Sequence, residues 1–137
     1  WRLSRASVVE NGDFSIFAGI ERNLTVLTGP GFDLVGAGLC LPARPLVPVD
    51  FAGDVAVRAE GVVAPSDDFN VMTARALPRP QVAVVTGRVQ VAAGGVLAVY
   101  ALQGGRINDQ AVMAQDLVLT DGAVQLDGQA VVVRILD

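Results

Sequence analysis

Ten arginines, with neither lysine nor histidine, define the chemistry open to this 137-residue chain. Without an imidazole, Ser-His-Asp and Cys-His arrangements cannot be assembled, and any histidine-bearing metal site is excluded. A hard cation held by carboxylates alone is conceivable. However, Asp67-Asp68 is the only adjacent acidic pair and lacks the spaced oxygen ligands of a calcium loop, so no metal and no other cofactor is expected. Paired-carboxylate hydrolysis needs two acids at a defined separation, which sequence alone does not give. The glycines at Gly29-Pro30-Gly31, Gly94-Gly95 and Gly104-Gly105 precede strand-like segments and lack the lysine of a phosphate loop, so turn chemistry accounts for them. Cys40, the only cysteine, lies in the apolar run Gly38-Leu39-Cys40-Leu41 and is expected to be a buried structural thiol.

The arginines carry the more informative chemistry. In the alternating segment from Trp1, Arg2 shares a face with Ser4, Ala6 and Val8, while Trp1 and Leu3 take the other. An arginine at the mouth of a barrel can hold a carboxylate through its two-pronged guanidinium. On the residues alone the plainer alternative is favoured: Arg2 and Arg22 solvated, or paired with neighbours such as Glu21. Asn70 and Arg75 read equally well as local turn formers.

These side chains must be positioned by strands. The chain is 52% hydrophobic and 18% charged, enough for a core and against disorder. Its net charge of −4 speaks against nucleic acid or an anionic membrane as partner. No apolar run reaches the roughly 18 residues of a membrane helix. Strands are expected at Trp1–Val9, Leu24–Thr28, Phe32–Val35, Val47–Phe51 and Val55–Glu60. Beyond residue 80 they are expected at Gln81–Ala92, Val96–Leu102, Gln110–Met113, Asp116–Thr120, Ala123–Leu126 and Ala130–Leu136. Hairpin-type turns are expected at Glu10–Asp13, Thr120–Gly122 and Leu126–Gly128. Asp67–Arg75 reads as an irregular functional loop. Pro42, Pro45 and Pro48 mark edges or loops. Leu77-Pro78-Arg79-Pro80 reads as a stiff linker between strand-rich halves, residues 1–76 and 81–137. Strands at this spacing without a helical period mean an all-β sandwich or barrel. The chain opens mid-strand and without methionine, so residues upstream of Trp1 are expected in the natural protein.

Three stretches carry a resemblance. Trp1-Arg2-Leu3-Ser4-Arg5-Ala6-Ser7-Val8 leads to Gly12-Asp13-Phe14-Ser15-Ile16-Phe17-Ala18-Gly19-Ile20-Glu21-Arg22. Phe51-Ala52-Gly53-Asp54 follows, and then Asp68-Phe69-Asn70-Val71-Met72-Thr73-Ala74-Arg75. In order and spacing these resemble the HutD/Ves family of bicupins, specifically over residues 1–75 and only in architecture beyond. Ala18, Glu21 and Ala74 depart from the family's usual proline, aspartate and arginine, and the family's glycine-rich opening is not represented.

The resemblance implies two small jelly-roll (cupin) β-barrels packed together, the first over residues 1–76 and the second over 81–137, with no metal requirement. It also implies an association with bacterial histidine utilisation. The expected role is that of a cytoplasmic regulator or sensor binding an acidic intermediate of the formylglutamate or urocanate type. The ligand-binding positions it implies are Arg2, Ser4, Arg22, Asp68, Asn70, Met72 and Arg75. In these roles the arginines grip carboxylates, Ser4 and Asn70 orient the ligand, and Met72 forms an apolar wall; Asp68 holds an arginine in place. The expected partner is thus a small acidic metabolite, with a homodimer compatible. A metal-independent isomerase or hydrolase using Asp68 or Glu21 as a base, and a purely structural or dimer-forming module, are the competing readings.

Overall fold

The computed structural model describes residues 1–137 as fourteen β-strands without a helix, the all-β class expected. No helix is therefore long and apolar enough to cross a membrane. The chain forms two compact units, Trp1–Leu77 and Pro78–Asp137. The division falls inside the proline-containing segment Leu77–Pro80, where missing amide donors and fixed φ angles interrupt strand pairing.

The first unit comprises β1 (Arg2–Val8), β2 (Gly12–Asp13), β3 (Ile20–Thr28), β4 (Phe32–Gly36), β5 (Leu39–Ala43), β6 (Val49–Ala52), β7 (Arg58–Glu60) and β8 (Ser66–Ala74). They form two four-stranded sheets, ordered β1-β8-β3-β6 and β2-β7-β4-β5. Leu24, Val26, Phe32, Leu34, Ala43, Phe51, Val57 and Ala59 form one buried cluster drawing on both sheets, the arrangement of a β-sandwich core. Pro42 sits on β5, an edge strand, where a missing amide donor is tolerated.

Two sequence expectations are corrected here. Residues 67–75 are not an irregular loop: β8 is an interior strand, paired antiparallel with β1 on one side and β3 on the other. Its polar residues disguised an alternation that places Asp68, Asn70 and Met72 on one face and Phe69, Val71 and Thr73 on the other, all buried. The Glu10–Asp13 turn does not close a hairpin either. β1 pairs with β8, whereas β2 joins β7 in the other sheet, so this turn carries the chain from sheet to sheet.

The second unit comprises β9 (Gln81–Val91), β10 (Val96–Ala101), β11 (Gly105–Ile107), β12 (Gln110–Val112), β13 (Leu117–Thr120) and β14 (Val124–Ile135). These build one six-stranded sheet, ordered β12-β11-β14-β10-β13, with β9 also on β14. Leu97, Val99, Ile107, Val124, Leu126, Ala130 and Val132 form its buried cluster. Instead of a hairpin at Leu126–Gly128, β14 runs unbroken through Gly128. Gly128 (φ 151°) lies directly opposite Gly87 (φ 96°), so a glycine pair lets the long ribbon bend where side chains would resist. Cys40 is exposed, contrary to expectation, because its strand β5 lies at a sheet edge and alternation turns the thiol outward.

Candidate ligand-binding cavity

The register across three strands brings the polar side chains of the first unit together. Arg2 on β1 lies beside Met72 on β8, which lies beside Arg22 on β3. One pleat further on, Ser4 lies beside Asn70 and Asn70 beside Leu24. With the period of two, Arg2, Ser4, Asp68, Asn70, Met72 and Arg22 all point to one side of the sheet. They line a cavity of about 370 Å³, closed on another side by Phe14, Ser15 and Phe17 from the segment that precedes β3. Six of the seven positions nominated from sequence therefore meet in one place.

Arg75 does not. It lies outside the cavity, donating from Nε to Glu21 Oε1 at 3.1 Å and from its Nη atoms to Asp54 and to the Ile20 carbonyl. The geometry does not bring it to the other six: it follows the last residue of β8, and two acids already occupy its guanidinium. These contacts raise the Arg75 pKa, the Asp54 hydrogen bond foremost, and they hold Asp54 down at about 2. The same corner ties down the cavity wall. The Phe17 amide donates to the Gly53 carbonyl at 2.8 Å, and the Gly53 amide to the Ile20 carbonyl at 2.7 Å. A side chain at Gly53 would meet the Phe17 carbonyl at 2.5 Å.

Arg22 is the centre of the site. It is 6% exposed, and its guanidinium carbon lies 4.9 Å from the ring centroid of Phe51, 5.2 Å from Phe17 and 5.5 Å from Phe14. Such a cation–π contact is worth from about 0.5 kcal/mol when exposed to about 2 kcal/mol or more when desolvated. Its Nη2 donates to Asn70 Oδ1 at 3.2 Å and its Nη1 to the Ser15 carbonyl at 3.5 Å, while Nε is buried without a partner. Burial lowers its pKa, Asp68 opposes that, and the Arg2 charge adds to it. The side chain nevertheless stays a cation, as arginine does in proteins.

Asn70 links this cation to an acid. Its Nδ2 donates to Asp68 Oδ1, while Asp68 Oδ2 is buried with no partner. Asp68 is 1% exposed, and burial is the largest cause pushing its pKa up to about 6. The Asn70 hydrogen bond and the Arg22 charge pull the other way. Arg2, by contrast, is exposed and makes no side-chain hydrogen bond or ion pair with the protein, although it stands close enough to Arg22 to repel it. The cavity thus offers one free guanidinium, a second buried one behind it, the Ser4 hydroxyl and the apolar Met72. That set suits a small carboxylate, since bidentate charge-assisted bonds to arginine are among the strongest polar contacts available. No cluster of three or more acidic, cysteine or histidine side chains that could hold a metal ion is assembled anywhere in the chain.

Three aromatic residues escaped the sequence nomination. Phe14 and Phe17 lie in the stretch that carries the family resemblance and Phe51 ends an expected strand, and only their convergence on Arg22 reveals their role. The available signal was two phenylalanines, Phe14 and Phe17, in a glycine-bounded segment leading into Arg22; Phe51, far along the chain, gave none.

The chain is similar to known proteins in sequence and fold. An uncharacterised 21.2 kDa protein of Pseudomonas putida, encoded in the region 3′ of hutC, is 43% identical over 77 residues. That alignment covers 54% of this chain and 40% of the relative, so the chain spans well under two thirds of it. The structure of HutD from Pseudomonas fluorescens SBW25, determined in a formate condition, superposes with a TM-score of 0.90 at 26% identity. It covers 99% of this chain, which spans 78% of that protein. A conserved protein of unknown function from Pseudomonas aeruginosa PAO1 superposes with a TM-score of 0.86 at 28% identity, covering 100% of this chain and 80% of its own. Both share this chain's cupin-type, all-β fold. The HutD family model matches residues 1–135, and the chain belongs to the HutD family, which is linked to histidine utilisation.

Proposed function

We propose that this protein is a metal-independent small-molecule-binding bicupin that acts as a regulator or sensor in bacterial histidine utilisation. The first barrel, residues 1–76, holds an acidic pathway intermediate of the formylglutamate or urocanate type; the second spans residues 81–137. The observation that carries this reading is the unpaired Arg2 guanidinium opening on the same cavity as the buried Arg22. Three arginines (Arg2, Arg5 and Arg22) against two acids (Asp13 and Asp68) leave that cavity short of negative charge, and a ligand carboxylate supplies it. Its volume of about 370 Å³ is in the range of small-metabolite sites.

Thermal-shift screening against N-formylglutamate, urocanate, glutamate and neutral amides of similar size tests the reading. A ligand that binds only the folded chain stabilises it by about 2.7 kcal/mol at a hundredfold excess over its dissociation constant. Stabilisation by the acids and not by the amides is expected. If no acid raises the midpoint, the binding function is refuted.

One observation favours a second reading, a metal-independent isomerase or hydrolase. Asp68, with a pKa of about 6 and one oxygen without a partner, has the properties of a general acid or base working near neutrality. Turnover of any of the same acids, abolished by Asp68→Asn, is the outcome that selects it.

A further inference from the structure

We infer that the cavity takes up its acidic ligand together with a proton, and that Asp68 is the group that carries it; this rests on the acid-binding reading above. The argument begins with one oxygen. Asp68 lies on an interior strand, 1% exposed, with Oδ1 accepting from Asn70 and Oδ2 buried without a partner. An ionised carboxylate with an unserved buried oxygen is costly, and here the Arg22 charge, relayed through Asn70, compensates for it. A ligand carboxylate gripping Arg2 and Arg22 takes over that compensation. Two carboxylates then share one poorly solvated site, and such pairs resolve by one of them binding a proton. The free oxygen of Asp68 can accept it without breaking the Asn70 bond.

The other charges around Asp68 leave this outcome intact. From β3 comes Arg22, and from β1 come Arg2 and Arg5. Arg5 is 3.7 Å from Asp67, the neighbour on Asp68's own strand, which also accepts from Ser7. The Asp67 charge pushes Asp68 further up. From the opposing sheet comes Asp13, which lies 3.9 Å from Arg58. The chain has no histidine, the side chain whose ordinary pKa lies near neutrality. Asp68 therefore stands where a histidine would in other proton-linked sites, already at about 6 before a second anion arrives.

The sign of the linkage follows. An anion raises the Asp68 pKa, so the complex binds protons more tightly than the free protein. Affinity is then highest at low pH and falls as pH rises through the free and bound values, by at most about tenfold per pH unit for one proton. Such a site reports an acid and acidity together.

Calorimetric titration of the whole chain with N-formylglutamate, in two buffers of different ionisation enthalpy, counts the protons directly. At pH 6.5 we expect net uptake of a fraction of a proton per ligand, and about a tenfold loss of affinity between pH 6 and pH 8. Asp68→Asn should bind with no uptake and a flat pH profile. Should that variant not fold, carbon-detected titration of the wild-type aspartate carboxyls replaces it, and the resonance that titrates near six should move upward on ligand addition. Binding without proton uptake and with a level profile overturns this inference while leaving the acid-binding reading standing. Uptake that persists in Asp68→Asn places the proton elsewhere and also overturns it. Absence of binding at every pH overturns both.

Discussion

Replacing Asp68 by asparagine should make the protein more stable at pH 8, although it alters a buried, hydrogen-bonded residue. Asp68 has a folded pKa of about 6 against an ordinary value of 3.8. A carboxyl whose folded pKa exceeds its unfolded one favours folding most fully below the unfolded value. That contribution is lost as pH rises through the folded value. The gap corresponds to about 3 kcal/mol held against the folded state at alkaline pH, about half of which develops between pH 5 and pH 8. The exposure of 1% means that solvent does little to relieve it. Asparagine keeps the oxygen that accepts from Asn70 Nδ2 and removes the charge. Thermal unfolding of both proteins from pH 5 to pH 8 is the assay. The variant's advantage should grow by roughly 5 °C over that range for a chain of this size. A stability difference that stays constant with pH, or shrinks as pH rises, would refute the assignment of Asp68 as a carboxyl ionised at a cost.

Further expectations concern the groups around Asp68. Arg22→Met removes the cation that holds the Asp68 pKa down, so its carboxyl should titrate above about 6, measured by carbon NMR of aspartate side chains. An unchanged titration would mean that burial and the Asn70 hydrogen bond set the value without Arg22. Gly53→Ala places a methyl 2.5 Å from the Phe17 carbonyl. It should cost about 1–3 kcal/mol in urea unfolding and weaken acid binding by displacing the wall that stacks on Arg22; full stability would show that the segment is free to move. In Arg75→Gln, Asp54 loses the contact that depresses it to about 2. The stability linked to Asp54, present above its ordinary 3.8 and lost as pH falls through about 2, should disappear from acid titrations while ligand affinity is unchanged.

The residues themselves made much of the first unit legible. The alternation of Arg2 and Ser4 against Leu3 marked β1, and Gly29-Pro30-Gly31 marked the end of β3. What stayed hidden was pairing at long range. Asp67-Asp68 and Asn70 look like a loop because polar residues are rare in a strand buried on both faces; only β1 and β3 on either side show that β8 is one. Gly128 looks like a turn until Gly87 is seen opposite it. Arg75 was read with its near neighbours in the motif, yet its partners Glu21 and Asp54 lie 54 and 21 residues away. The resemblance pointed to six residues of the cavity, whereas the aromatic cage of Arg22 depended on geometry that no local pattern records.

The most direct test of the acid-binding cavity is calorimetric titration of N-formylglutamate into wild type, Arg2→Gln and Arg75→Gln at one pH. Loss of a charge-assisted pair to a ligand carboxylate weakens binding by about tenfold or more. Wild type and Arg75→Gln should therefore bind alike, and Arg2→Gln at least tenfold more weakly. Equal affinity in all three proteins, or a loss confined to Arg75→Gln, would contradict the placement of the ligand beside Arg2 and Arg22.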